Sequence, residues 1–337
     1  MAMTAALAFA LMAAFTMSVG ALTYTGSSNQ FAGGFNPKNA PNGGFGGGSC
    51  TTTHTPIVFL HGNGDEAKNW DYPAATGVPS VYRELKNAGY NDCELFGLNY
   101  LSASERGAPQ LNYHQPGKAA MVRDFVNAVK AYTGKSQVDV IAHSMGVTVG
   151  IHGLDYGGLW GSVRKFVGIS GGLHGLASCY WAGYANPAIT TCGGQNVFDS
   201  NIFGFFPHAA PGYNPKMGDG GYRDAPSGKA TIFYTLRAGY NDQIACSTSS
   251  FYTGCGDTAL FDGYSNVRSQ LNVGRGSTAA QYDYNFSDWS IFNTGGGDSD
   301  GVGHFRAKNN TGVIQRNMIT GNCTGTACCS GYGFSCQ

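Results

Sequence analysis

The chain has 337 residues, of which 12% are charged, and its basic and acidic side chains balance to a formal net charge of zero. This balance argues against a nucleic-acid surface or an acidic polymer as partner, because both call for a strongly basic face. The length suits one large α/β domain, and low charge combined with many Tyr, Phe and Gly residues is typical of a secreted protein that contacts uncharged material.

An apolar run from Leu7 to Val19 ends in the small residues Val19-Gly20-Ala21. That spacing is typical of a signal-peptidase site, so we predict a signal peptide over residues 1–21, a mature start at Leu22 and secretion. The basic residues that usually precede such a run are missing. A membrane anchor is the less favoured alternative, because the run is shorter than the ~20 residues needed to span a bilayer.

Ten cysteines in a chain expected to be secreted predict disulfide bonds. Close pairs such as Cys179/Cys192 and Cys246/Cys255 would staple loops, although the sequence leaves the pairing open. Four more would tie down the C-terminal tail: Cys323, Cys328, Cys329 and Cys336. A metal site is not expected, since no Cys-x-x-Cys pair stands near a suitably spaced histidine.

Residues 22–49 are rich in glycine with scattered aromatic side chains. They are too irregular for a helix or a paired strand, so we expect an arm lying on the surface. Pro56 to Leu60 then form a short apolar strand that ends in His61-Gly62-Asn63. The backbone N–H of Asn63 is a candidate donor to an oxyanion, whereas His61 is interpreted as structural.

Helices and strands alternate over the next part of the chain. Val78 to Gly89 is predicted to be a helix ended by glycine, and Cys93 to Leu101 the next strand. Between Lys118 and Tyr132, apolar residues recur at helical spacing until Gly134 stops the helix. This alternation is typical of a parallel sheet flanked by helices.

The strand Val138 to Ile141 runs into Ala142-His143-Ser144-Met145-Gly146. Small residues two before and two after a serine permit the sharp turn that holds Oγ above the sheet edge, the nucleophile elbow of α/β-hydrolases. The N–H of Met145 would be the second oxyanion donor. A second match, Gly168-Ile169-Ser170-Gly171-Gly172, is interpreted as a strand end, because the glycines after Ser170 cannot propagate a helix.

The regular alternation is lost from 171 to 230, where glycine, proline and aromatic residues dominate. We expect an insertion that caps the site or binds a ligand; a stapled loop with its aromatic side chains packed inward is the alternative. The final core strand before the site is predicted at Thr231 to Ala238. Residues 22–337 are thus expected to form one catalytic domain of the α/β-hydrolase fold, with a mostly parallel sheet, flanking helices and an aromatic-rich insertion.

The acid and base of this fold follow the nucleophile in the order serine, acid, histidine. Of eight histidines, only His304 lies after a suitable acid that ends a strand. That acid is placed at Asp242; Asp298 and Asp300 compete, but they lie in a turn-like run close to the base. His304 would take the Ser144 proton and Asp242 would orient the imidazole, with no metal or organic cofactor required.

Long motifs spread over the mature chain resemble one family. They are His-Gly-Asn-Gly-Asp, Ala-His-Ser-Met-Gly, Gly-Phe-Gly-Gly-Gly-Ser-Cys, Val-Lys-Ala-Tyr-Thr-Gly-Lys-Ser-Gln-Val-Asp and Gly-Val-Gly-His-Phe-Arg. Together they are similar to the extracellular poly(3-hydroxybutyrate) depolymerases that attack native, amorphous granules. The resemblance implies that Ser144, Asp242 and His304 match the family's triad, and that Asn63 and Met145 match its oxyanion donors.

The resemblance also implies contacts with polymer. Tyr113 matches a tyrosine close to the active site, and Tyr180 and Trp181 match an aromatic pair that adsorbs the polymer. The second such pair reads Val197-Phe198 here, a departure that bears on surface affinity.

Two further features follow from the same resemblance. Tyr24 stands where a cysteine is expected, which removes one disulfide of the family pattern. Residues 275–292 correspond to a lid-like segment over the active site, with an ordinary surface loop as the alternative.

The leading prediction is a secreted, monomeric serine esterase that cleaves short-chain polyhydroxyalkanoate esters at a polymer surface, with neither nucleic acid nor membrane as partner. A triacylglycerol lipase or carboxylesterase of the same fold is the first alternative. The second comes from a different class, a non-catalytic polyester-binding or granule-coating protein. A complete triad argues against that class, since binding alone does not need one.

Overall fold

The computed structural model describes residues 22–72, 79–193, 199, 201–207, 224–239, 242, 244–245, 257–274, 303–334 and 336–337. The strands are β1 Tyr24–Thr25, β2 Gly44–Phe45, β3 Ile57–Leu60, β4 Leu95–Leu98, β5 Val138–His143, β6 Val163–Ile169, β7 Ile232–Arg237 and β8 Val267–Asn272. The α-helices are α1 Val81–Asn87, α2 Ala103–Arg106, α3 Pro116–Thr133, α4 Met145–Tyr156, α5 Ala177–Ala182, α6 Arg306–Asn309 and α7 Gly312–Thr320. The signal peptide predicted over 1–21 and the lid-like segment predicted over 275–292 lie outside the described residues.

One sheet contains all of these strands, in the order β1-β2-β4-β3-β5-β6-β7-β8. From β4 to β8 in that order the neighbours are parallel, whereas β1 and β2 pair antiparallel. Leu60 of β3 lies opposite Ala142 of β5, and Ile169 of β6 lies opposite Leu236 of β7. The carboxyl ends of the central strands therefore meet at one edge, where open α/β sheets bind ligands.

Helices cover both faces of the sheet, which explains the continuous apolar runs of its central strands. Successive side chains of a strand point to opposite faces. Val58 and Val140 pack in the cluster that contains α3 and α4, whereas Phe59 and Ile141 pack with α1 and α7. The predicted mostly parallel sheet flanked by helices is confirmed, and the fold is that of an α/β-hydrolase.

The longest helix, α3, begins and ends at the residues that its sequence favours. Pro116 occupies its first turn, where a missing N–H costs nothing, and Gly134 ends it with a φ of 69°. The prediction of a helix between Lys118 and Tyr132 is confirmed. Within the described residues, no helix is both long and apolar enough to cross a membrane.

The prediction of a surface arm over residues 22–49 is wrong. β1 and β2 extend the sheet by two strands, and Phe35 and Phe45 are buried in the core. Each of these strands has two residues, too few to produce an alternating pattern. Glycine is needed here for close approach, because a Cβ on Gly44 would lie 1.9 Å from the carbonyl oxygen of Gly97.

Tyr24, which stands where the resemblance implies a cysteine, is held by hydrogen bonds. Its hydroxyl donates to Glu66 Oε2 (3.0 Å) and accepts from Asn99 Nδ2 (2.7 Å). These bonds join the first strand to the loop after β3 and to the segment after β4 without a covalent link.

The strand predicted at Thr231 to Ala238, before the site, is confirmed as β7, Ile232–Arg237, whereas β8 is a strand that the sequence analysis missed. Its sequence, Val-Arg-Ser-Gln-Leu-Asn, contains few apolar residues. β8 lies at the end of the sheet order, next to β7. An edge strand needs apolar side chains only where it faces the core, as Leu271 does, and such a strand has no continuous apolar run to reveal it.

Disulfide bonds join eight of the described cysteines: Cys50–Cys93, Cys179–Cys192, Cys323–Cys328 and Cys329–Cys336. The Cys179/Cys192 pair and the closure of the C-terminal tail were predicted and are confirmed, whereas Cys246 and Cys255 lie outside the described residues. The closed tail returns to β8. There Asn272 and Gln337 exchange backbone hydrogen bonds of 2.7 and 3.0 Å.

Candidate active site

Ser144 lies on a strained turn between β5 and α4. Its φ is 54° and its ψ is −127°, and a positive φ costs a residue with a side chain on the order of 1–3 kcal/mol. Its N–H donates to the carbonyl oxygen of Ile169 (2.8 Å), so β6 holds the turn in place. This backbone raises a side chain above the sheet edge, as a nucleophile elbow does.

The elbow and the loop after β3 approach each other as closely as glycine allows. A Cβ on Gly146 would lie 2.4 Å from the carbonyl oxygen of His61. A Cβ on Gly62 would lie 2.9 Å from His143 Nδ1 and 3.0 Å from Ser144 Cβ. Both glycines are therefore required by contacts rather than by chain flexibility.

Ser144, His304 and Asp242 come together from three separate loops. His304 Nε2 lies 2.9 Å from Ser144 Oγ, and His304 Nδ1 lies 2.9 and 3.1 Å from the two carboxyl oxygens of Asp242. Both His304 and Asp242 are buried. Because Nδ1 donates to the carboxylate, Nε2 is the nitrogen that can accept the serine proton.

Asp242 is ionised although it is fully buried. Its Oδ1 accepts the backbone N–H groups of Ile244 (3.0 Å) and Ala245 (2.7 Å). Burial raises the pKa of Asp242, but the charge and hydrogen bond of His304 and the Ala245 N–H outweigh that effect, so the pKa lies below its ordinary value.

The structure describes the alternative serine, Ser170, but neither of the alternative acids. Ser170 directly follows β6, is buried and has a φ of 47°, but the next helix, α5, starts only at Ala177. It therefore sits at a strand end, without the helix that completes an elbow. Asp298 and Asp300 lie outside the described residues.

Asn63 and Met145 border the cleft beside Ser144. Met145 is the first residue of α4, and the first N–H groups of a helix have no acceptor within the helix. The Asn63 side chain is anchored, since Nδ2 donates to Pro109 O (2.8 Å) and Oδ1 accepts from Asn112 Nδ2 (2.7 Å). These bonds fix the loop whose backbone N–H is the predicted oxyanion donor.

A cleft of about 820 Å³ opens at Ser144 and His304. Much of its described wall is apolar, and includes Leu176, Ala182, Ile189, Phe205, Phe305 and the disulfide Cys179–Cys192. Most of these residues belong to the segment 171–230, so the described part of the predicted insertion builds one wall of the site. Such a cleft suits an uncharged, largely apolar ligand.

The residues linked by resemblance to polymer contact lie in different places. Tyr113 lines a neighbouring cavity of about 350 Å³. Tyr180 is half-buried on α5, with its ring centroid 6.2 Å from that of Phe206. The side chain of Trp181 and the whole of Phe198 lie outside the described part of the chain.

The sequence analysis missed the segment 106–110, which lines the cleft beside Asn63. The available signal was its position: it follows β4, whose carboxyl end lies at the same edge as those of β3 and β5. Among the described residues, no group of three or more His, Cys, Asp or Glu side chains could hold a metal ion.

Residues 54–202 match the model of the family Lipase (class 2). The matched segment contains the loop after β3 and the Ser144 elbow, ends before Asp242 and His304, and covers less than half of the chain. No curated protein sequence matches the chain.

Several solved structures are similar to this chain. Lipase B of Aspergillus fumigatus is 19% identical, over 65% of this chain and 44% of that one, with a TM-score of 0.38. A Bacillus licheniformis lipase in mature form is 16% identical, over 58% and 69%, with a TM-score of 0.36. A hormone-sensitive lipase from a metagenome library is 15% identical, over 64% and 65%, with a TM-score of 0.33. The chain thus spans less than half the length of the first of these lipases.

Ser144, His304 and Asp242 are thus arranged as a serine nucleophile with its base and acid, on an α/β-hydrolase fold. The segment that carries Ser144 is similar to class 2 lipases.

Proposed function

We propose that this protein is a secreted serine esterase that hydrolyses the ester bonds of poly(3-hydroxybutyrate) and other short-chain polyhydroxyalkanoates. The observation that carries the proposal is the contact of Ser144 Oγ with His304 Nε2 (2.9 Å) at an apolar cleft. The polymer as substrate rests on the motifs that resemble the native-granule depolymerases, and the cleft chemistry is compatible with it.

The first half of the reaction forms an acyl-enzyme. His304 Nε2 takes the proton of Ser144 as Oγ attacks the ester carbonyl carbon, and the carbonyl oxygen becomes an oxyanion facing the N–H groups of Asn63 and Met145. Asp242 stabilises the resulting imidazolium. The tetrahedral intermediate then collapses, the C–O bond to the leaving alcohol breaks, and His304 returns the proton to that alcohol.

The second half repeats these steps with water. His304 removes a proton from water, the hydroxide oxygen attacks the acyl carbon, and Ser144 leaves as its Oγ regains the proton. The products are a free carboxylic acid and the unchanged enzyme.

The charge of the cleft favours an uncharged polyester over an anionic substrate. Among the described lining residues, Arg106 is the one permanently charged side chain. It is already engaged, because Nη1 donates to Leu101 O (2.8 Å) and Nη2 lies 3.6 Å from Glu66. No free cation of the described wall is therefore available to hold a carboxylate or phosphate group.

The proposal is tested by the turbidity loss of amorphous poly(3-hydroxybutyrate) granules, measured for the parent and for Ser144→Ala. We expect the parent to clear the suspension and the variant to leave it turbid, because the acyl-enzyme cannot form without Oγ. Turnover of soluble esters by the parent with no clearing of granules would refute the polymer assignment. N-terminal sequencing of the exported protein tests the proposed mature start at Leu22.

A triacylglycerol lipase is the second candidate, favoured by the class 2 lipase match over residues 54–202. Emulsified triolein separates the two functions, since strong triolein turnover without granule clearing would identify a lipase. Labelling of Ser144 by a fluorophosphonate separates both enzymes from a non-catalytic polyester-binding protein, which would not react.

A further inference from the structure

A buried ion pair lies behind the site, between the loop that follows β3 and the helix that follows His304. Lys308 Nζ is 2.7 Å from Asp65 Oδ2, and each side chain is 2% exposed. We infer that Asp65 and Lys308 are positioning residues, which hold the oxyanion loop and His304 at a fixed distance from each other. This inference rests on the proposed ester hydrolysis and adds two residues outside the predicted triad and oxyanion donors.

Both carboxyl oxygens of Asp65 have partners, in its own loop or at Lys308. Its Oδ1 accepts the Glu66 N–H (2.8 Å) and a short hydrogen bond from Asn69 Nδ2, while Oδ2 faces Lys308. Burial is the largest single effect and raises the pKa of Asp65, but the charge and hydrogen bond of Lys308, together with the neighbouring His61 and His143, outweigh it and lower the pKa to about 2. The carboxylate is therefore ionised at neutral pH, and the pair is intact.

Lys308 is rigidly joined to His304. The two residues lie four positions apart on one helical turn, in which Ala307 N–H donates to Gly303 O (2.7 Å) and Lys308 N–H to Phe305 O (3.1 Å). The Lys308 ammonium also lies 5.2 Å from the ring centroid of Trp70. A displacement of Lys308 would consequently move His304 with it.

Asp65 is joined to the oxyanion loop as directly as Lys308 is joined to His304. It lies two residues after Asn63, and its N–H donates to Gly62 O (3.3 Å), which closes the turn that contains Asn63. The pair therefore connects the predicted oxyanion donor to the general base by a path that does not include Ser144 or Asp242.

His143 provides the third connection, from the elbow. Its Nε2 lies 2.9 Å from the backbone carbonyl oxygen of His304, and the ring is fully buried. Burial, followed by the charges of His304 and Lys308, lowers the pKa of His143 well below its ordinary value, so the neutral ring donates Nε2–H to that carbonyl. The histidine loop is thus joined to the elbow and to the oxyanion loop by buried polar contacts.

Stability alone is a poor explanation for this pair. Replacing a buried ion pair by apolar side chains is often neutral for stability, because desolvation of two charges offsets their attraction. Geometry is a better explanation, since a misplacement of about 1 Å in an active site can cost on the order of 100-fold in rate.

The test compares kcat and KM on nitrophenyl butyrate for the parent and Lys308→Met, with Lys165→Met as matched control. Lys165 is also buried, and its Nζ donates to Met318 O (2.9 Å) at the opposite edge of the sheet. We expect Lys308→Met to lower kcat by about 10- to 100-fold with KM within about twofold of the parent value. Lys165→Met should lower the melting temperature and leave kcat unchanged.

The double variant Asp65→Asn/Lys308→Met separates positioning from folding. It leaves neither charge unpaired, and the Asn side chain keeps an oxygen for the Glu66 N–H, so we expect it to recover much of the melting temperature lost in Lys308→Met. The kcat should stay low, since the link between the loops is still missing. Recovery of kcat together with the melting temperature would overturn the inference, as would a kcat for Lys308→Met equal to that of the parent. A parent inactive on every ester would instead refute the proposed function.

Discussion

Two buried lysines at opposite edges of the sheet have partners of different kinds. At the amino edge, where the parallel strands begin, Lys165 of β6 donates to the carbonyl oxygens of Met318 (2.9 Å) and Ile319 (3.0 Å). Both carbonyl groups belong to the last turn of α7, where a cation complements the helix dipole. At the carboxyl edge, Lys308 pairs with the carboxylate of Asp65. The first lysine closes a helix end, whereas the second joins two loops that carry reacting groups.

The comparison shows that burial alone does not reveal what a polar side chain does. Both lysines are almost inaccessible, and loss of either would leave a buried partner unsatisfied. Their difference lies in the segments that they connect. We therefore expect changes at the amino edge to alter stability alone, and changes at the carboxyl edge to alter the rate of the folded protein.

Two buried carboxylates give the largest expected contrast. Asp242→Asn should lower kcat on nitrophenyl butyrate by about 10³- to 10⁴-fold, because the amide no longer fixes the tautomer of His304. Asp139, at the amino edge, is equally buried and accepts from Arg164 Nε (2.9 Å). Asp139→Asn should lower the melting temperature and leave kcat unchanged. Similar kcat losses in both variants would break the distinction between the edges.

Two glycines give the next contrast. Gly62→Ala places a Cβ against His143 Nδ1 and Ser144 Cβ, so the oxyanion loop must shift and kcat should fall by about 100-fold. Gly161 precedes β6 at the amino edge, and a Cβ there meets nothing within 4 Å. Gly161→Ala is the control, expected to change stability by less than ~0.5 kcal/mol and to keep the parent kcat. An unaltered kcat in Gly62→Ala would show that the loop tolerates displacement.

A smaller effect is expected at the carboxyl edge, where acid should lower the stability of the fold through His61. Burial lowers the pKa of His61 to about 4, whereas an unfolded chain binds this proton near pH ~6.5. Stability is therefore lost as the pH falls from about 6.5 towards 4, by about 2 kcal/mol between pH 7 and 5. His61→Asn, which keeps a donor for the Gly62 carbonyl, should weaken this dependence in urea unfolding. An identical pH dependence in parent and variant would assign the loss to other groups.

The sequence was most informative where chemistry and local backbone coincide. Ser144 follows an apolar strand with small residues around it, and Asp242 and His304 follow in the chain order of the fold. The structure brings these three side chains within hydrogen-bonding distance. Their catalytic roles stay predictions until the variants above are measured.

Other features could not be predicted because no local pattern encodes them. Asp65 and Lys308 are 243 residues apart, and neither stands in a motif that suggests a partner. β1 and β2 are too short for a period of two to be visible, and in β8 the two apolar residues, Val267 and Leu271, are separated by Arg-Ser-Gln. Contacts of this kind depend on the folded topology and become visible only with it.

The two ends of the sheet carry a consequence for self-association. Exposed edge strands offer unpaired backbone groups to other chains and thereby promote aggregation. Here one outer strand of the sheet, β1, has only two residues. Along the other outer strand, β8, the disulfide-closed tail occupies backbone groups of Asn272 through Gln337. We therefore expect reduction of Cys329–Cys336 to loosen that tail and to make β8 more prone to pair with a second chain.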